Sequence, residues 1–265
     1  MKKLVLTIAA CAALSALAAD YKPVVCPGFY WQHLQGIAAD SGKIYWSYSN
    51  KIIKTGTDGK IENIVDAPWH HGDCCFYGGK LYVAVNLGKF NTKDKADNYV
   101  YIYDADLNFI EKIALPEIAG GLGGITHHNG SFYAVGGIHE SEPAFKICKY
   151  SKDFKLEKEY FVPVGDSLWG VQTICRANGR FWLGVYLQTD LKRETANKGA
   201  RLWEMDDDFN VVKKHEVRGM PDVGIDEIKN SDGCNMLIVK RGYKKGKDYA
   251  RQYAEAIPQK IEPSK

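Results

Sequence analysis

The sequence predicts an all-β protein, and three observations carry the prediction. One phrase recurs five times: small residues and an apolar one, a Gly-containing turn, then an apolar-aromatic strand commonly opened by a basic residue. The copies are His33–Trp46, Gly72–Val83, Gly123–Ala134, Gln172–Leu183 and a degraded Gly224–Ile238. They recur at roughly 40–50 residues, the length of a unit built from a few short strands. Between copies stand runs that alternate with period two, such as Tyr99-Val-Tyr-Ile-Tyr103, separated by Asp-, Asn- and Gly-rich turns. Short strands at that period make a propeller blade. The expected fold is therefore a five-bladed β-propeller.

Taken in order, each copy supplies the first two strands of a blade, and two outer strands follow. Blade one continues with Ile52–Thr55, a Thr57-Asp58-Gly59-Lys60 turn and Ile61–Val65. Blade two continues with Tyr99–Tyr103 and Phe109–Ile113, blade three with Phe145–Tyr150 and Leu156–Phe161, and blade four with Arg201–Met205 and Val211–Val217. The turn residues Asp, Asn and Gly cap their own backbone or accept positive φ. Asp206-Asp207-Asp208 is read as such a turn, not as a metal loop. The fifth copy lacks a fourth strand, and Val24-Val-Cys26 is spare. The N-terminal strand is thus expected to complete the last blade and close the ring without an open edge, with Arg251–Ile257 as that blade's third strand.

The first residues read as a signal peptide (1–18): Lys2 and Lys3, an apolar Leu4–Leu14 core and an Ala16-Leu17-Ala18 cleavage site. Ile8-Ala-Ala-Cys11 offers a competing lipoprotein box. No later stretch reaches the ~20 apolar residues of a membrane span. Residues 20–265 form one domain in this reading, exported to the periplasm or beyond, and monomeric. A net charge of +3 with scattered basic residues argues against a nucleic-acid partner. Six cysteines remain after the leader: Cys26, Cys74, Cys75, Cys148, Cys175 and Cys234. Their spacing suggests small buried hydrophobes more than disulfides.

Aligning the copies separates shared from solitary positions. The Ile37, Cys74, Ile125, Ile174 and Ile225 column is apolar and packs between blades. The Ala38, Cys75, Thr126, Cys175 and Asp226 column is small, as a narrow channel requires. Just before these columns the sequence turns polar: His33 and Gln35, His70, His71 and Asp73, Trp169 and Gln172, and Asp222. Second strands return to the same rim with Ser49, Asn50, Asn86, His139, Glu140, Tyr186, Gln188, Lys240 and Arg241. Two long insertions, Leu87–Asn98 and Thr189–Gly199, emerge there too. A rim of imidazoles, amides, carboxylates and a guanidinium beside Trp31, Trp69 and Trp169 is the expected site.

Three functions are open at this point. His70, His71 and Asp73 could act as acid–base catalysts, or with His33 and His139 hold a divalent metal, giving hydrolase or lyase chemistry. His33, Gln35, Asn86, His139, Trp169, Gln172 and Arg241 could bind a small polar molecule, a saccharide above all, stacking its ring on tryptophan. Or the surface could serve as an interaction scaffold. For His70 and His71, strand alternation lets only one face the mouth. His127 and His128 fall in a turn on the far face, and His215 is expected at solvent on an outer strand.

Gly79-Lys-Leu-Tyr-Val-Ala-Val-Asn86 and Val100-Tyr-Ile-Tyr-Asp104 resemble exported bacterial β-propellers of the broad YVTN/NHL and SMP-30-like kind, over nearly all of residues 21–257. The resemblance implies the fold. It also implies, from the SMP-30-like lactonases, calcium held by a Glu and Asn/Asp set, and no matching inner-strand Glu stands here. Propellers host hydrolases, lyases, lectins and scaffolds alike, so the resemblance assigns no activity.

Overall fold

The computed structural model describes residues 20–139, 141–187, 201–243 and 251–264. The expected leader, Glu140, Gln188, the Thr189–Gly199 insertion and Lys244–Lys247 lie outside the described residues. The described chain is all β, in five four-stranded sheets that form a five-bladed propeller.

Blade one is β2 (Leu34–Asp40), β3 (Lys43–Tyr48), β4 (Lys51–Gly56) and β5 (Ile61–Asp66). Blade two is β6 (His71–Tyr77), β7 (Lys80–Asn86), β8 (Asn98–Asp104) and β9 (Phe109–Ala114). Blade three is β10 (Leu122–His128), β11 (Ser131–Gly136), β12 (Ala144–Ser151) and β13 (Leu156–Pro163). Blade four is β14 (Ser167–Ala177), β15 (Arg180–Leu187), β16 (Leu202–Met205) and β17 (Val211–His215). The last blade uses β18 (Ile225–Glu227), β19 (Met236–Tyr243), β20 (Arg251–Gln259) and, as its outer strand, β1 (Val24–Trp31). The N-terminal strand pairs antiparallel to β20, with Val24 opposite Ala256 and Cys26 opposite Ala254. Closure by the N-terminal strand therefore holds as expected.

Five apolar clusters fill the five seams between successive blades. Trp46, Leu34 and Ile37 of blade one pack with Val24, Cys26, Leu237 and Ala256 of blade five; Cys74, Val83 and Tyr103 pack with Tyr45 and Ile52 across the next seam. The three remaining seams are filled alike by Ile125 and Phe132 with Val100, by Ile174 and Trp203 with Val135 and Phe145, and by Ile225 and Met236 with Cys175 and Trp182. Each apolar strand face is thus buried against a neighbour, which is why isolated blades are not stable units.

The outer turns explain three unusual residues. Asp104 Oδ1 accepts the N–H groups of Asp106 and Asn108, and Asp206 Oδ1 those of Asp208 and Asn210. Ser151 Oγ does the same for Asp153 and Lys155. These self-capped turns put Leu107, Phe154 and Phe209 at positive φ, a costly conformation for large side chains. Burial of Leu107 and Phe209 against the preceding blade offsets that cost. The carboxylate of Asp206 is occupied by its own backbone, as the reading of that run as a turn requires.

Both ends of the described chain dock on the face opposite the inter-blade connections. Tyr21 exchanges two hydrogen bonds with Asn230, and its hydroxyl meets Gly42 and Lys43 in the β2–β3 turn. Beyond β20, Ile261 is held by Asn235, and the Ser264 N–H donates to Glu204 in blade four. Glu204 also accepts from His215 at 2.9 Å. His215 is therefore not at solvent as expected: the buried carboxylate draws it inward.

All six cysteines in the described residues are free thiols, five of them buried. Burial pushes Cys26 and Cys148 up to about 12, so these sulfurs are protonated and unreactive in the native state. Denatured but unreduced protein should take up one alkylating group per cysteine by mass spectrometry. Recovery of linked peptides would overturn this.

Candidate functional site

Each inner strand of blades one to four carries a bulge just inside the mouth. The pairing skips Gln35 between Leu34 and Gly36, Gly123 between Leu122 and Gly124, and Gln172 between Val171 and Thr173. In blade two it skips within His71–Cys74, where Gly72 and Asp73 stand. A bulge re-aims side chains and ends regular pairing. Here it turns the bulged positions out of the strand register, in the same layer of these four blades.

The bulges also let inner strands approach closely. A Cβ on Gly36 would lie 2.3 Å from the Asp73 Cα, and one on Gly72 would lie 2.6 Å from the Gly123 carbonyl oxygen. Only glycine fits such contacts. Asp73 lies at the centre of this layer, fully buried. Its Oδ2 accepts the Ile174 N–H across the channel from blade four at 3.1 Å. Burial holds the Asp73 carboxyl well above the usual range. Deeper in the channel Asp226 Oδ2 accepts the Ala39 N–H at 2.6 Å, joining blade five to blade one, and burial pushes its carboxyl up to about 7.

Above Asp73 a compact cluster faces the mouth. The Gln35 amide, itself buried, donates to His33 Nε2 at 2.5 Å and to His70 Nε2 at 2.8 Å. Both rings are half-buried and stand 5.9 Å apart, edge to face. Burial and the neighbouring Arg241 charge push His33 down to about 3, and burial pushes His70 down to about 4. Both imidazoles are therefore neutral near pH 7. Arg241 donates to the Leu34 carbonyl at 3.4 Å, tying blade five to the same rim. Trp69 and Phe90 flank His70 with ring centroids 5.3 and 5.1 Å away.

The other residues named from the sequence lie elsewhere. His71 is fully buried: Nδ1 donates to the Pro68 carbonyl and Nε2 meets the Tyr103 hydroxyl at 2.9 Å. Of the pair, alternation sends His70 to the mouth and His71 into the seam. Asn86 Oδ1 accepts the N–H groups of Gly88 and Asp97, which pins the root of the blade-two insertion. Gln172 is buried in its bulge. Trp169 stands at the rim edge-on to Tyr186, half-exposed. His139 leaves the axis and lines a side cleft. Among the described residues no three His, Cys, Asp or Glu side chains form a metal-ligating group. His33 and His70 meet, but Asp73 and His139 do not join them.

Sequence reasoning missed Phe90 and the buried ion pair of Arg201 with Asp222, whose Nη1 and Oδ2 are 3.3 Å apart. Phe90 is the only aromatic in the Leu87–Asn98 insertion, a signal that was available. Arg201 gave none, because its partner lies 21 residues onward in a connection.

Fold and rim together define a five-bladed propeller with a glycine-packed, plugged channel and a polar cluster at one mouth. No family model and no curated protein matches the chain. Solved structures to which the chain is similar include glutaminyl cyclase of Myxococcus xanthus, at 11% identity over 89% of this chain and 97% of that one, with a TM-score of 0.48. They also include a nidogen/laminin complex (12% identity, 69% and 64% coverage, TM-score 0.46). A third is the Pan2 WD40 domain of Neurospora crassa (11% identity, 86% and 64% coverage, TM-score 0.41).

Proposed function

We propose that this protein is an exported propeller that captures a small polar ligand, a saccharide, at the channel mouth. One observation carries the reading. Trp31, Trp69 and Trp169 sit on or beside inter-blade connections at the rim and are 54%, 51% and 38% exposed. Exposing three indoles costs solvation free energy that a stacked sugar ring recovers. Beside Trp69, the neutral His33–Gln35–His70 network supplies an uncharged polar floor. Capture is favoured over turnover, since His71 and Asp73 are enclosed and His33 and His70 are too weakly basic for proton transfer near neutrality. Export rests on the leader-like Lys2–Ala18 segment.

A glycan panel screened by thermal shift tests this. A hundredfold excess over Kd stabilises by about 2.7 kcal/mol, or roughly 5–10 °C for a domain of this size. The shift should vanish in a Trp69→Ala/Trp169→Ala variant that still unfolds cooperatively. No shift with any glycan would leave the scaffold reading. For export, the N-terminus of the secreted product should fall near Asp20; a retained leader in the cytoplasm would refute it.

A further inference from the structure

A second concavity lies off the axis, on the mouth side, between the blade-two insertion and the loop joining β11 to β12. It encloses about 430 Å³, within the range of small-molecule sites, about 300–1,000 Å³. None of His33, Gln35, His70 or Asp73 lines it, so it is separate from the mouth cluster.

We propose that this cleft binds an amphipathic carboxylate, an acid with an aromatic or branched aliphatic body. Buried Ile118 and Ile138, with Ala119 and Ala144, give it an apolar lining, and the Phe161 ring at its edge is 65% exposed. Such a lining favours an apolar body over a sugar. The charged walls carry two lysines, Lys93 and Lys146, against one carboxylate, Glu142, and these groups with His139 select the head. Lys146 is engaged by Glu159 at 2.7 Å. Lys93, exposed on the blade-two wall, has no ion-pair partner among the described residues. His139 Nδ1 accepts the Ser141 N–H at 3.3 Å and lies 2.7 Å from Ser141 Oγ, which leaves Nε2 as the ring's donor. An ammonium with no ion-pair partner among the described residues, and an N–H donor, on the walls of a largely apolar cleft match a carboxylate, which accepts from both.

The test is an amide-resolved NMR titration of the full chain with phenylacetate, 4-methylpentanoate and the neutral isostere phenylacetamide. Saturable shifts are expected at Ile118–Gly120 and Gly137–His139 with both acids, and about tenfold weaker binding of the amide. Lys93→Met should weaken the acids about tenfold and leave the amide unchanged. Ala119→Trp, which fills the cleft from an exposed position, should abolish the response. Equal affinity for acid and amide, or indifference to Lys93→Met, would overturn the assignment of the head group. A response that persists in Ala119→Trp, or no response at these amides, would overturn the site itself. Trp69→Ala/Trp169→Ala should leave this titration unchanged, so failure here and failure of saccharide capture are read separately.

Discussion

Removing Asp20–Phe29 should abolish cooperative unfolding. The segment carries Tyr21, Val24 and Cys26 into the seam between blades five and one, where all three are buried. Burying side chains of this kind stabilises by roughly 1.5–3 kcal/mol each. The three sum to a large part of the 5–15 kcal/mol that holds a typical domain together. The loss extends beyond area. Without β1 the edge of β20 is exposed, leaving unpaired N–H and C=O groups that template aggregation. Calorimetry of the truncated chain should show a broad or absent transition and concentration-dependent precipitation. A truncated protein that melts like its parent would sink the closure argument.

Stability should also peak near pH 6–7 and fall on both sides. On the acid side, burial pushes His33 down to about 3 and His70 and His71 to about 4, and lowers His127 and His128 as well. Unfolded, these rings bind protons near pH 6.5. The unfolded state therefore takes up protons first, and stability is lost as pH falls below about 6.5. Asp226, pushed up to about 7, and Asp73, held well above its usual range, act with the opposite sign. Their stabilisation is fully present below the unfolded carboxyl value near 3.9 and is lost as pH rises through the folded values. Below pH 6.5 the three strongly shifted imidazoles, His33, His70 and His71, outnumber the two carboxyls, so stability climbs with pH. Above it the carboxyls dominate: the Asp226 share of the loss is complete near pH 7, and the decline beyond that belongs to Asp73. Each proton contributes about 1.4 kcal/mol per pH unit. Urea midpoints from pH 5 to 9 should trace this maximum. Asp226→Asn should remove the part of this loss that is complete near pH 7, and His71→Gln should shallow the acid limb. A plateau across this range in the parent would contradict the burial of these groups.

The blades were legible because period-two alternation and Gly-marked turns survive in every copy, even Gly224–Ile238, where β18 keeps only three residues. The closing strand was legible as a matter of bookkeeping: one blade lacked a strand and Val24–Cys26 had no other place. The rim was only partly legible. Alternation predicts facing as long as pairing is regular, and the bulges at Gln35, Gly72-Asp73, Gly123 and Gln172 interrupt it at the polar layer. Asp73 reads from the sequence as a mouth residue, yet it bonds a backbone N–H across the channel. His139 departs for a different reason, since its position follows from a loop whose path strand period does not govern.

The pairing of β1 with β20 has a kinetic consequence. Val24 and Ala256 are separated by nearly the whole chain, whereas the strands of blades one to four pair with their immediate neighbours in sequence. Contacts between distant residues form late, because the loop they close must lose its freedom first. Synthesis from the N-terminus would leave β1 waiting, unpaired, while four blades assemble from contiguous sequence. The last blade would then form only after Arg251–Gln259 arrives. The same seam would be the first to part under native conditions, so amides of β1 and β20 should exchange with solvent faster than those of β7 or β11.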